Sequence, residues 1–451
     1  MNYREQLQLL QERDSGFAKA VELIKELSRQ RELKVINFSH HDLDGVASAF
    51  LLRRMFLQLG AKVTVKMPER FRLLEEDLGF VSKGKFDLLV ISDKGTFASY
   101  GDFSEKVENI LIIDHHTTHG NPKGAVVFNP SVEQHVSTSA SLMCHMLATQ
   151  LSPTDEFDDF VALIGCRADF TFDPVERRCA EFVQPFVERS MRMFPQLFKT
   201  RLGDPTMYDL VDRRRTALIN QIAEALQVGT LAHYYGEILD AAVSGQDLVL
   251  DFLNDIVSTK RPAEFRNLDD FLTISPPGKI ISRVLKHFRL DWEQLESRVR
   301  GPIFLGEVRN IGVYLVFARE VSRMQSVPFP AILPYVASTQ LEPLKRAFGH
   351  GGTMIIVFCP KENGVHISMR GGGGIIDCSG VCSQLADRLR RLYPGHAGIE
   401  GGGHADAAEC FAGESVPMYS VMRELLWTMA EIFQQGALPG AEQSSSTLVM
   451  V

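Results

Sequence analysis

The stretch Asn109–Gly120, NILIIDHHTTHG, decides how this sequence is read. Its run of four aliphatic residues is the signature of a strand buried on both faces. Yet the run passes without a break into Asp114, His115 and His116, with His119 in the same loop. Ionisable groups are costly near an apolar interior, so their place at the end of such a strand calls for a chemical reason.

The same arrangement occurs twice more upstream. KVINFS (Lys34–Ser39) leads directly into His40, His41, Asp42 and Asp44, and FDLLVIS ends on Asp93. Between these strands GVASAFLLRRMFLQLG reads as a helix ending at Gly60, and KVTVKM and AVVFN read as further strands. Strands alternating with helices predict an α/β fold with a parallel sheet covered on both faces. In such a sheet the carboxyl ends of the strands share one edge, where ligands bind. Three strands therefore bring their acids and imidazoles together.

One acid after a strand is commonly a helix cap, and Asp44 alone reads that way. Several acids and a histidine pair cannot all be caps. Clustered carboxylates without matching arginines resist ionising, and divalent cations resolve the conflict. Oxygen and imidazole ligands without thiolate suit Mn²⁺ or Mg²⁺, with Co²⁺ and Zn²⁺ as further options. Two such ions, roughly 3.5–4 Å apart, clamp a phosphoryl group and generate hydroxide near neutral pH. In LIGCRADFTFD, Asp169 taken alone is a cap or a surface charge; its weight comes from the other acids.

A second signal lies near the far end, in IEGGGHADAAEC. Gly401, Gly402 and Gly403 read as a loop whose amides form an anion-binding concavity, with His404 directly after. SMRGGGG (Ser368–Gly374) sets Arg370 at a strand end, and Arg is suited to bidentate phosphate contact.

At 451 residues the chain exceeds one ordinary domain. The reading divides it into residues 1–195, an N-terminal helix and a parallel-sheet domain; 196–300, a helical connector; 301–436, a smaller mixed α/β domain; and 437–451, a disordered tail. Helical patterns fall near Ser139–Gln150, Glu156–Cys166, Val175–Arg192, Gln340–Phe348, Gly380–Leu392 and Met418–Gln434. The N-terminus lacks a signal-peptide pattern, and no apolar run is long enough to span a bilayer. Seven cysteines without a CxxC pair fit reduced thiols in a cytoplasmic protein. A net charge of −8 argues against a protein that wraps long nucleic acid.

Taken in order, Asp42-Leu43-Asp44-Gly45, Asp93, Asp114-His115-His116 and Asp169 resemble the four motifs of the DHH phosphoesterases. GGGHADAAE is similar to the signature of the DHH-associated C-terminal domain of nanoRNases, RecJ-type exonucleases and cyclic-dinucleotide phosphodiesterases. The resemblance covers roughly residues 33–195 and 300–435. It implies that Asp42, Asp44, Asp93, His115 and Asp169 hold two Mn²⁺ ions, with Asp93 bridging. Asp114 is then an acid orienting a histidine, and His116 lies close to the scissile phosphate. Arg370, the glycine run and His404 hold substrate phosphate across an interdomain cleft. Where many members carry a further histidine ligand, this chain has Phe38, with His40 or His41 as its substitute.

The expected activity is a metal-dependent phosphodiesterase that hydrolyses short oligoribonucleotides or dinucleotides to nucleoside 5′-monophosphates. Its partners are then short single-stranded RNA or DNA, not a membrane, with a homodimer left open. Alternatives are a RecJ-like exonuclease on single-stranded DNA, a cyclic-dinucleotide phosphodiesterase, or a degenerate scaffold without catalysis.

Overall fold

The computed structural model describes all residues except 31, 69, 131–135, 240–242, 319–331, 362–363, 373–376, 397, 436–447 and 451. Its contacts divide the chain into two units. The first comprises Met1–Tyr208, Asp212–Leu285 and Ser446–Val451; the second comprises Asp209–Val211 and Lys286–Ser445.

The first unit is built on five parallel strands: β1 (Lys34–Ser39), β2 (Lys62–Lys66), β3 (Leu88–Ser92), β4 (Asn109–Ile113) and β5 (Ala125–Phe128). Their order across the sheet is β2-β1-β3-β4-β5. From β1 the chain first steps to one side to form β2, then crosses to the other side to form β3. The β1/β3 boundary is therefore the switch point at which a doubly wound sheet opens a crevice at its carboxyl edge. β3 is buried along its whole length and β4 in all but its first residue. That explains their uninterrupted aliphatic character.

Ile36, Phe38, Leu89, Ile91, Ile110 and Ile112 share one face of the sheet and pack with Leu78 and Val81 of a helix at Glu75–Gly84. The other face carries α1 (Leu43–Gln58), which packs against α2 (Ala140–Leu151) and α3 (Glu156–Ala168). The expected helix at 175–192 is shorter, Gln184–Met193, because Arg178–Ala180 first forms a strand paired with Phe172–Asp173. The α/β reading with an N-terminal parallel sheet is borne out.

The stretch predicted as a connector is helical but packs into the first unit as far as Leu285. Its helix α4 (Leu218–Thr230) lies against α3, and Asn220 Oδ1 accepts a 2.7 Å bond from the buried Arg167 Nε. Of the tail expected to be disordered, residues 437–447 lie outside the described residues. Leu448–Met450, an apolar triplet, instead forms a strand antiparallel to Arg178–Ala180.

The second unit holds a six-stranded mixed sheet: β6 (Ile303–Val308), β7 (Ile311–Phe317), β8 (Gly352–Lys361), β9 (Gly364–Gly372), β10 (Ile399–Gly403) and β11 (Ala407–Gly413), in the order β6-β7-β8-β9-β11-β10. Helices at Cys378–Leu392 and Met418–Gln435 contribute Val381, Leu385, Leu389, Val421, Leu425 and Met429 to its core. All seven cysteines are buried free thiols. Among the described residues no helix is long and apolar enough to cross a membrane.

Candidate metal and phosphate site

The site grows from the carboxyl ends of β1, β3 and β4. After β1, Asp42 caps α1, its Oδ1 accepting from the Gly45 amide at 3.0 Å. The capping role read for Asp44 thus belongs to Asp42. Asp44 lies in the first turn, fully buried, and its two oxygens accept from the Ala140 and Ser141 amides of α2 at 2.7 and 3.1 Å. α3 can pass this carboxylate closely only because residue 165 is glycine: a Cβ there would sit 2.5 Å from Asp44 Oδ1 and 2.0 Å from Ser141 Oγ.

Asp93 follows β3 directly. Its backbone is left-handed, with φ +60°, a conformation that costs a non-glycine residue energy and clusters at functional sites. The next residue, Lys94, is fully buried and donates to the Pro68 and Arg70 carbonyls at 3.0 and 2.5 Å. This bonding pins the loop after β2, so that Phe71 packs edge-on against both His40 and His116, with ring centroids 5.4 and 4.9 Å apart.

β4 delivers the remaining groups. His115 Nε2 lies 3.0 Å from Asp93 Oδ1, 3.2 Å from Asp169 Oδ2 and 3.9 Å from Asp44 Oδ2. His116 Nδ1 lies 2.8 Å from Asp114 Oδ1. Asp169 sits at the C-terminal cap of α3. His40 Nδ1 is 3.0 Å from Asp42 Oδ2 and 3.8 Å from Asp93 Oδ2. The structure thus brings together Asp42, Asp44, Asp93, His115, Asp169 and His40, with Asp114 and His116 beside them. His119 stands apart on a two-residue strand, its ring stacked on Phe97.

Phe38, where the resemblance implied a missing histidine ligand, is buried in the sheet core with Ile36 and Ile91. Its side chain does packing work. His40, by contrast, forms a cluster with Asp42 and Asp93 whose donor atoms lie within 4.8 Å of one another. Asp44, Asp93 and His115 form another, and Asp93 is common to both.

The electrostatics of these groups conflict. Burial, reinforced by the charges of Asp42, Asp44 and Asp114, pushes the Asp93 carboxyl well above the usual carboxylate range. Burial and then Asp44 do the same to Asp169, against a smaller pull from His115. Burial alone would lower His115, but Asp169, Asp44 and Asp114 outweigh it and raise the imidazole. Burial and the neighbouring His115 lower His116. Burial would raise Asp114 and Asp42, yet His116 and His40 respectively hold both below the ordinary value.

Two carboxylate oxygens, Asp93 Oδ2 and Asp169 Oδ2, are buried and make no hydrogen bond; the 3.2 Å approach of His115 to Asp169 lacks the geometry of one. Orphaned buried acceptors of this kind are expensive, and a cation satisfies them. The donors are oxygen and imidazole without thiolate, so the residues present fit Mn²⁺ or Mg²⁺.

In the second unit, the GGGH run is not a loop. Ile399–Gly403 is an edge strand paired with β11 in the register Gly401↔Cys410, Gly402↔Glu409 and Gly403↔Ala408. Glycine is required there because a Cβ on Gly401 would meet the Cys382 carbonyl of the covering helix at 2.3 Å. Gly403 has φ +136°, and His404 opens the turn back, its amide donating to the Ala407 carbonyl at 2.8 Å. Arg370 lies on β9 opposite Ala407, with Nη2 3.4 Å from Glu409 Oε1. Gly373 and Gly374 of the adjoining run lie outside the described residues.

With this geometry in place, residues 34–164 match the family described as DHH family, N-terminal domain. The match is confined to this domain, which holds β1 to β5 and the acids at their carboxyl ends. No curated protein matches it by sequence. Among solved structures it is similar to exonuclease RecJ bound to manganese, at 16% identity and TM-score 0.56, covering 92% of this chain and 94% of that one. It is also similar to the DHH domain of a member of a ribosomal protein family, at 16% identity and TM-score 0.62, covering 94% and 92%. A third likeness is to CDC45 from Entamoeba histolytica, at 11% identity and TM-score 0.51, covering 92% and 99%. At these identities the likenesses speak to the fold.

The site also uses residues that motif reading passed over. Thr96 Oγ1 donates to Asp114 Oδ2 at 2.7 Å, and Asn129 at the end of β5 reaches the same oxygen at 3.3 Å. Gln227, from the supposed connector, accepts from the Leu43 amide at 3.0 Å, beside the cap of α1. Only Asn129 carried a sequence signal, being a polar residue at the carboxyl end of a predicted strand.

Proposed function

We propose that this protein is a metal-dependent phosphodiesterase that cleaves short oligonucleotides or dinucleotides to nucleoside 5′-monophosphates. The observation that carries the reading is the convergence of Asp42, Asp44, Asp93, His115 and Asp169 at the switch point, with two buried carboxylate oxygens lacking donors. Asp93, shared by the donor cluster with His40 and Asp42 and by that with Asp44 and His115, would hold the cations together with these residues, and His40 would stand in for the ligand missing at Phe38. Divalent cations held there supply Lewis-acid charge for phosphodiester cleavage and acidify water.

The chain's own residues do the rest. The left-handed turn at Asp93 aims its carboxylate into the crevice, and α2 fixes Asp44 by two amides. Asp114 holds the His116 ring, which when protonated donates to a non-bridging phosphate oxygen. Arg370, with Gly401, Gly402, Gly403 and His404, provides a second place for substrate phosphate on the other unit. The net charge of −8 favours a short substrate over a long polyanion.

The test is a Mn²⁺-dependent rate panel: a dinucleotide, a five-residue RNA, a long single-stranded DNA and a cyclic dinucleotide. Fastest turnover of the dinucleotide or short RNA, abolished by Asp93→Asn, supports the reading. Preference for long DNA would replace it with a RecJ-like exonuclease, and no turnover of any substrate with no Mn²⁺ bound would leave a scaffold.

A further inference from the structure

The hydrogen bonds behind His116 run in one direction. Asn129 Nδ2, which can only donate, lies 2.9 Å from the His116 carbonyl, 3.3 Å from Thr96 Oγ1 and 3.3 Å from Asp114 Oδ2. The carbonyl and the carboxylate can only accept, so the amide cannot be turned over without setting its oxygen against both. Thr96 Oγ1 therefore receives from Asn129 and spends its own proton on Asp114 Oδ2, at 2.7 Å. With Oδ2 taking donors, Asp114 turns its other oxygen, Oδ1, to His116 Nδ1 at 2.8 Å. Thr96, Asp114 and Asn129 are all buried, which keeps water from replacing these bonds.

We propose that Thr96 and Asn129 are positioning residues that act through Asp114 to hold His116 as the Nδ1–H tautomer, leaving Nε2 as its basic nitrogen. This deepens the phosphodiesterase reading, since it makes Nε2 the nitrogen that His116 presents to substrate, accepting a proton when neutral and donating to a phosphate oxygen once protonated. The three residues come from separate places: Thr96 three positions after Asp93, Asp114 at the end of β4, and Asn129 at the end of β5. A ring held at Nδ1 by a carboxylate has one orientation, and the other nitrogen is then the one available for chemistry.

The same wiring separates the two histidines. His115 engages Asp93 through Nε2, whereas His116 engages Asp114 through Nδ1. Adjacent in sequence, they thus differ in which nitrogen is tied to a carboxylate.

The direct test is long-range ¹H–¹⁵N correlation of histidine rings in the full Mg²⁺-loaded chain, with His116 identified by the signal lost in His116→Gln. The wild type should show Nδ1 protonated and Nε2 unprotonated at alkaline pH. Thr96→Val combined with Asn129→Ala should shift His116 toward the Nε2–H form, and Thr96→Ser alone should keep the wild-type pattern. On a dinucleotide, Thr96→Val should lower kcat about tenfold or more with KM nearly unchanged, and Thr96→Ser should restore it. An Nε2–H wild-type ring, or a folded double variant whose His116 remains Nδ1–H, overturns the proposal. The tautomer is read without turnover, so a protein that cleaves no member of the substrate panel still decides the point.

Discussion

His115 Nε2 lies 3.0 Å from Asp93 Oδ1, although the two residues end different strands of the parallel sheet. They meet because β3 and β4 are in register and because Asp93 turns left-handed as it leaves β3. The contact places an imidazole next to a carboxyl that burial and three other acids have pushed up. It is the centre from which the expected behaviour of this protein follows.

Asp93→Asn should abolish metal-dependent hydrolysis, by on the order of a thousandfold. The metal-free variant should be at least as stable as the wild type, because a buried acid among like charges is replaced by a neutral isostere. Thermal melts should show Mn²⁺ raising the wild-type Tm and leaving the variant's nearly unmoved. A variant that loses Tm without metal would contradict the electrostatic account.

The pH dependence of the metal-free protein has a definite sign. His115, Asp93 and Asp169 have folded values above their ordinary ones, so the native state binds the extra protons and stability is lost as pH rises through those values. Asp42 and Asp114 are lowered; their contribution is present above about pH 4 and lost only below it. His116 is lowered, and its effect is complete by about pH 6.5. Above about pH 6.5 the metal-free protein should therefore lose stability with rising pH. Denaturant midpoints across that range, with and without Mn²⁺, check this; bound cations should flatten the slope and release protons.

Phe38 and His40 should separate cleanly. Phe38→Ala opens a core cavity and should cost about 3–5 kcal/mol, with metal affinity unchanged in the folded fraction. His40→Ala should leave stability nearly intact and weaken metal binding about tenfold or more. Chemical denaturation and Mn²⁺ titration of both variants give the answer. Loss of affinity in Phe38→Ala but not in His40→Ala would reverse the assignment.

Lys94→Met should loosen the loop that carries Phe71. Its ammonium satisfies two carbonyls, and leaving them unbonded costs about 1–3 kcal/mol each, partly offset by removing a buried charge. Hydrogen exchange should accelerate at Arg70–Leu73, with kcat on a dinucleotide falling about tenfold as His116 loses its packing partner. Unchanged exchange would show that the loop is held by other contacts, such as the Leu73 amide donating to Tyr100 Oη.

What the sequence disclosed was whatever depends on short range. The aliphatic runs of β3 and β4 announced buried strands, and their terminal acids announced the edge where they converge. Phe38 was legible as a departure, but its burial among Ile36 and Ile91 needed the sheet. The glycines at 401–403 were misread as a loop because glycine is poor in strands; the close approach of Cys382 that demands it is a tertiary fact. Lys94, Thr96 and Gln227 stayed hidden for a related reason. Each acts on a distant backbone or carboxylate, and nothing local distinguishes them from surface residues.

The most direct measurement is metal content with function: Mn²⁺ bound per chain by equilibrium dialysis, paired with dinucleotide hydrolysis, for wild type and Asp93→Asn. The account predicts about two ions and Mn²⁺-dependent turnover for the wild type, with both lost in the variant. A wild type that binds no Mn²⁺, or an Asp93→Asn variant that binds and cleaves as well as the wild type, would contradict it.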